Sequence, residues 1–151
     1  MERKMLISSI SYLFVLLFLY TAVSKILDYN HFKNLLRYSP LLRNSASIVA
    51  VFLPAMEILL VLFLLNPRSL KWGLYGSFIL MILFTFYVGY MLAFVSKQSL
   101  PCSCGGILKQ MSWRQHLIFN IAFTSLALVG IWLNRKQFRE EMERITKATY
   151  A

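Results

Sequence analysis

The chain has little of what a soluble enzyme draws on. Its 151 residues include two cysteines, two histidines and six acidic side chains, with four prolines and six glycines. Two cysteines cannot supply the four ligands of a structural zinc site, and a pair only one residue apart cannot clamp a fold. No phosphate-cradling glycine loop, haem motif or serine triad occurs, and the spacing of the apolar runs leaves no room for a separate globular domain. Against the few acids stand sixteen Lys and Arg, a formal charge of +10. That charge invites nucleic acid as a partner. The basic residues, however, flank apolar runs, where they anchor helices at lipid headgroups and set topology, so nucleic acid is set aside.

What the chain has in abundance is apolar surface: 58% of its residues are hydrophobic and the mean hydropathy is +0.61. These values predict an integral membrane protein, all-α, built as a four-helix bundle in the lipid bilayer. The spans are expected at about residues 5–27, 45–65, 72–95 and 115–133, giving a four-span domain over 1–134 and a basic, helical tail over 135–151. The first run exceeds both the ~20 residues of a span and the ~7 to 15 of a signal-peptide core, so it reads as an uncleaved span despite Thr21-Ala-Val-Ser24. Lys25, at its end, is expected to snorkel to the interface. Residues 28–44 carry Phe32, Leu35 and Leu36 at helical spacing beside Lys33 and Arg37, the pattern of a short amphipathic interfacial helix ending before Pro40. Asn66-Pro-Arg-Ser69 is a tight connection, and Lys71 and Trp72 are anchors for the third span.

Nine basic residues fall on the side of the N-terminus and seven on the other, if the spans alternate. With an even number of spans and a basic tail, both termini are expected in the cytoplasm, of a bacterial inner membrane by this reading. The segment 96–114 then faces the periplasm or exterior, where disulfides persist. It holds Leu100-Pro-Cys-Ser-Cys-Gly-Gly106, with both cysteines of the chain. Pro101 stiffens the approach, and Gly105 and Gly106 leave the sulfurs uncovered, an arrangement suited to attack by a partner thiol. Two cysteines that are merely present remain an open alternative, since reactivity depends on pKa and exposure.

Glu57 is the costliest residue in the apolar runs and should face the bundle interior, protonated or paired. Pro54, one turn earlier on the same face, frees a backbone carbonyl. Lys25 is the obvious cation. Counted at ~1.5 Å per residue, though, Glu57 lies ~18 Å below the outer surface, too deep for an easy direct pair, and a bond from Tyr, Thr or Asn of a neighbouring span competes. Glu57 serves either as a structural clasp or in proton handling or ligand binding. On the fourth span His116, Asn120 and Thr124 recur every four residues as one polar stripe. Interhelical hydrogen bonding accounts for the latter two. His116, near the cysteines and Arg114, is placed to favour a thiolate at Cys102 or Cys104 or to shuttle its proton. Trp113, Tyr87 and Tyr90 read as interfacial or packing aromatics rather than a quinone pocket.

Several of these features occur together in one known family. Ser24-Lys25-Ile-Leu-Asp28 with an aromatic connection, Leu53-Pro54-x-x-Glu57, the cysteine loop and His116-x-x-x-Asn120 resemble the MauE branch of the DoxX-like membrane proteins over nearly the whole chain. The resemblance implies a four-helix membrane bundle associated with methylamine utilisation, where such proteins help a disulfide-rich dehydrogenase to mature. It also implies that Cys102 and Cys104 are the redox pair and that Lys25, Pro54 and Glu57 occupy family positions. Gly105-Gly106 departs modestly from relatives in which Phe-Gly follows the pair.

Three functions are compatible with this sequence. The first is a membrane thiol–disulfide protein that passes electrons between the cysteine pair and an exported thioredoxin-like or disulfide-containing partner through a mixed disulfide. It lacks the second pair of quinone-linked relays; if a quinone binds, its place is near Glu57 and the polar stripe. The second is a non-enzymatic scaffold or assembly factor with a local disulfide. The third is a soft-metal carrier using the two thiolates with Met81, Met91 or Met111, although methionines are more often packing residues.

Overall fold

The computed structural model describes residues 2–94 and 112–149. Five α-helices follow one another: α1 (Glu2–Leu27), α2 (Tyr29–Tyr38), α3 (Ala46–Leu65), α4 (Leu70–Phe94) and α5 (Trp113–Thr149), with a 3-10 turn at Arg43–Ser45 leading into α3. Four of them, all but α2, are long and apolar enough to cross a membrane. The protein is thus an all-α membrane bundle, and its outer surface is apolar. Leu13, Leu16, Ile48, Phe52, Leu62, Leu83 and Phe86 all face outward. Such an exterior is tolerable only where lipid takes the place of water, since helices satisfy their own backbone polar groups.

The core follows from spacing. Along α1 the buried positions are Ile7, Ile10, Ser11, Phe14, Phe18, Ala22 and Lys25, a stripe following the helical period. On α3 the equivalent stripe is Ala46, Ala50, Pro54, Glu57, Leu60, Val61 and Leu64. Ile7, Ile10, Phe14 and Phe18 of α1 and Leu60, Val61 and Leu64 of α3 form one cluster with Leu74 and Met81 of α4 and Ala127, Ile131 and Leu133 of α5. Phe14 is fully buried and meets Phe123 edge-on, with ring centroids 5.5 Å apart, and Phe18 at 5.7 Å.

The connection between α1 and α3 sets the stagger of the bundle. The apolar face of α2, Phe32 and Leu36, packs on Ala46 and Ala50 in the first turns of α3. Small residues there let the short helix sit close. α2 therefore covers the start of α3, and the end of α1 meets α3 only at its middle.

The α3–α4 hairpin closes through Asn66, whose Oδ1 accepts from the Arg68 N–H at 3.1 Å, and through Ser69, whose hydroxyl donates to the Phe63 carbonyl at 3.1 Å. Here the helices touch through Gly73, where an added Cβ would lie 2.9 Å from the backbone nitrogen of Leu64. A backbone atom cannot move aside as a side-chain tip can. Gly73→Val is expected to cost about 1–3 kcal/mol through overpacking. Gly89→Val, at a glycine with nothing within 4 Å, serves as control in the same detergent-unfolding titration. Equal midpoints for the two variants would contradict the close approach.

Candidate functional site

The chemistry-bearing groups converge where α1, α3, α4 and α5 meet near the start of α5. Lys25 points inward: its ammonium donates to Glu57 Oε1 at 2.8 Å and Oε2 at 3.1 Å, and to the Thr21 carbonyl at 3.2 Å. Both side chains are buried, at 6% and 2% exposure. The Thr21 hydroxyl lies 3.1 Å from Glu57 Oε1 and donates to it. The ring of Phe32 covers the ammonium, with its centroid 5.8 Å away, so α2 supplies the lid of the ion pair.

Two expectations are corrected here. Lys25 does not snorkel outward, and the pair with Glu57 is direct. Depth counted from the first residue of α3 overstates the separation, because α2 occupies the flank of the first turns of α3 and α1 ends opposite the middle. A helical side chain also leans towards its own N-terminus, which carries the ammonium a further turn down α1. The bond from a neighbouring-span threonine is present alongside the lysine. Pro54 is buried within the continuous helix α3, one turn before Glu57. Having no N–H, it leaves the Ala50 carbonyl without its usual helical donor.

The start of α5 is held by a reciprocal cap. Ser112 N–H donates to Gln115 Oε1 at 2.8 Å, and Gln115 N–H donates to the Ser112 hydroxyl at 3.3 Å. This Ser-x-x-Gln box satisfies two donors that have no partner inside the helix. It also fixes the rotation of the first turn, and with it the direction of His116, whose N–H bonds the Ser112 carbonyl at 2.9 Å. Of the polar stripe, Thr124 lies 3.3 Å from the Thr85 hydroxyl across the α4–α5 contact. His116 and Asn120 turn instead into a cavity.

That cavity, of about 50 Å³, is lined by Thr21, Lys25, Glu57, His116 and Asn120, with Phe18, Met81, Phe84 and Phe119 among the apolar walls. It brings together five of the residues singled out from the sequence, Lys25, Glu57, His116, Asn120 and Met81. Pro54 stands one turn away. The sequence points to Thr21 only as a threonine of a neighbouring span and to Ser24 only within the pattern Ser24–Asp28, although Thr21 stands four residues before Lys25, the separation that stacks two side chains on one helix face. Cavities that take ring-sized ligands run from roughly 300 Å³ upwards, so this one suits water or a small polar group rather than a quinone head.

Cys102, Cys104 and Met111 lie outside the described residues, as do Pro101, Gly105 and Gly106. Met81 and Met91 are buried in the bundle, and Met91 Sδ lies 3.8 Å from the Ser39 hydroxyl. Among the described residues there is no cluster of three or more His, Cys, Asp or Glu side chains able to hold a metal ion.

The family model described as methylamine utilisation protein MauE matches residues 3–133. No curated protein and no solved structure matches the chain.

Proposed function

The chain belongs to the MauE family of integral membrane proteins, and from that premise we propose that it is a membrane thiol–disulfide protein assisting the maturation of an exported, disulfide-containing or thioredoxin-like partner. The family's description, methylamine utilisation, fits such a task where the pathway's enzyme is exported. Cys102 and Cys104 are the exchanging pair. A thiolate of one protein attacks the disulfide of the other, a mixed disulfide forms as one sulfur leaves as thiolate, and the second thiol of the attacking protein resolves it. One dithiol is oxidised as one disulfide is reduced, so two electrons and two protons pass between the pair and its partner. His116 holds a proton between the two steps. The cysteine segment faces the periplasm, with both chain termini in the cytoplasm, in keeping with the distribution of Lys and Arg.

One observation carries this reading. α4 ends at Phe94 and α5 starts at Trp113, so the segment bearing both cysteines joins two of the helices that line the cavity, and His116 stands in the first turn after it. A nearby histidine can take the proton of a reacting thiol, and His116 is the histidine nearest the pair in the sequence.

Intact cells probed with a membrane-impermeant thiol reagent test the proposal. The pair is expected to be labelled from outside only after mild reduction, and one of Cys102→Ser and Cys104→Ser should accumulate a mixed disulfide with an exported protein. Thiols that stay free and unreactive, or that react only from the cytoplasmic side, would overturn it and leave a bundle whose role is to dock and hold its partner.

A further inference from the structure

Two buried polar atoms in the cavity have no hydrogen-bond partner among the described residues, His116 Nδ1 and Asn120 Nδ2. Asn120 is 5% exposed. A buried donor left unmet costs about 1–3 kcal/mol, so such groups are met by something. The hydrogen-bond capacity of the ion pair narrows what that is. The three ammonium protons of Lys25 are taken by the Thr21 carbonyl and the two carboxylate oxygens. Glu57 Oε1 accepts from both Lys25 and Thr21, whereas Oε2 accepts from Lys25 at 3.1 Å and keeps a lone pair. The cavity therefore presents a donor at Asn120, an acceptor at Glu57 and a ring nitrogen at His116 that can be either.

One small molecule that both donates and accepts completes this set. A volume of 50 Å³ is room for about three waters, and a site with two to four polar partners is one that water fills, whereas a cavity walled only by Leu, Phe and Met stays dry. We infer that the cavity is a hydration site, and that its water links the Glu57–Lys25 pair to His116 as a proton-conducting bridge. Water receives the Asn120 N–H and donates to Glu57 Oε2, and a second hydrogen bond reaches His116 Nδ1. A proton released by the ring passes to water, which hands one of its own to Glu57 Oε2. One proton enters and one leaves, and no oxidant or reductant is needed. Lys25, hydrogen-bonded to both oxygens of Glu57, holds that side chain in place.

This gives the intramembrane charges a use beyond clasping helices: they form a proton store one bridge away from the first turn of α5. Its service to thiol exchange rests on the function proposed above; the bridge itself involves neither cysteine.

The test uses the full-length, isotopically labelled protein in liposomes, with solid-state NMR following magnetisation transfer from water and the exchange of the Lys25 ammonium protons into D2O. Transfer is expected at the Asn120 side-chain amide, the His116 ring and the Glu57 carboxyl carbon, and not at the Phe14 ring. Asn120→Leu should abolish transfer to Glu57 and slow Lys25 exchange by about an order of magnitude, while the transfer to His116 persists. Absence of transfer at all three polar groups, or transfer that stops at His116 in the unaltered protein, would overturn the inference. So would an Asn120→Leu variant that exchanges as fast as the parent. Asn120→Gln, which keeps a donor, should restore exchange and guards against mere misfolding. Running the series in the Cys102→Ser/Cys104→Ser protein separates the two ideas, since the hydration pattern should survive there whatever becomes of thiol exchange.

Discussion

Glu57→Ala is expected to destabilise the bundle by about 3–5 kcal/mol, more than any other single polar substitution, because it leaves the buried Lys25 ammonium without its counter-charge. The variant loses the 2.8 and 3.1 Å contacts to Lys25 and the Thr21 bond together. The double variant Lys25→Met/Glu57→Leu should lose far less, about 1 kcal/mol, since it removes both desolvation costs with both charges and fills similar volume. Reversible unfolding in mixed micelles reads both. If the double variant costs as much as its two single substitutions summed, the two residues are not energetically coupled and the pair has been misassigned. The same comparison separates stability from use. A double variant that is stable yet unable to support partner maturation would put the charges in the mechanism rather than in the frame.

The second large effect is Phe14→Ala, expected to cost about 3 kcal/mol. Phe14 has no exposed surface and anchors the aromatic contact between α1 and α5 through Phe123. In a bilayer the cost differs in origin from that in a soluble core. Lipid tails are as apolar as leucine, so no water is being avoided; the loss is of close contacts and of the void left behind. Phe14→Leu should recover most of it. Leu16→Ala, at a position 65% exposed to the lipid side, should change the unfolding midpoint very little. A Leu16 variant as damaging as Phe14→Ala would mean that this face of α1 is covered by another chain.

The bundle was legible because hydropathy over some twenty residues is a strong signal, and four such runs leave few alternatives. The amphipathic segment was legible for a different reason, the spacing of Phe32 and Leu36. The same spacing contained the ion pair. Lys25 falls on the stripe Phe14, Phe18, Ala22, and Glu57 on the stripe Ala50, Pro54, Leu60. Reading depth from the helix end concealed this, because depth depends on how two helices are staggered, and stagger is decided by where α2 docks. That docking is tertiary. No count along a single helix contains it. The Ser112-x-x-Gln115 cap, by contrast, is a purely local pattern and sits in plain view at the start of α5, two residues ahead of the expected span boundary. The cavity was the least accessible feature: it is made of one face from each of four helices, and emptiness leaves no trace in composition.

The ion pair also bears on how the chain enters the bilayer during synthesis. Its lysine is on the first hydrophobic helix and its carboxylate 32 residues later, on the next one to insert. A lone lysine in the hydrocarbon costs about 3 kcal/mol on insertion scales, so α1 by itself is a reluctant passenger. The two helices and the short one between them are best delivered together, as a hairpin already carrying its charges matched. Nascent chains halted before residue 57 should then rest with Lys25 still at the water boundary, and the inward turn of that side chain would mark the moment at which the first half of the protein is committed to the membrane.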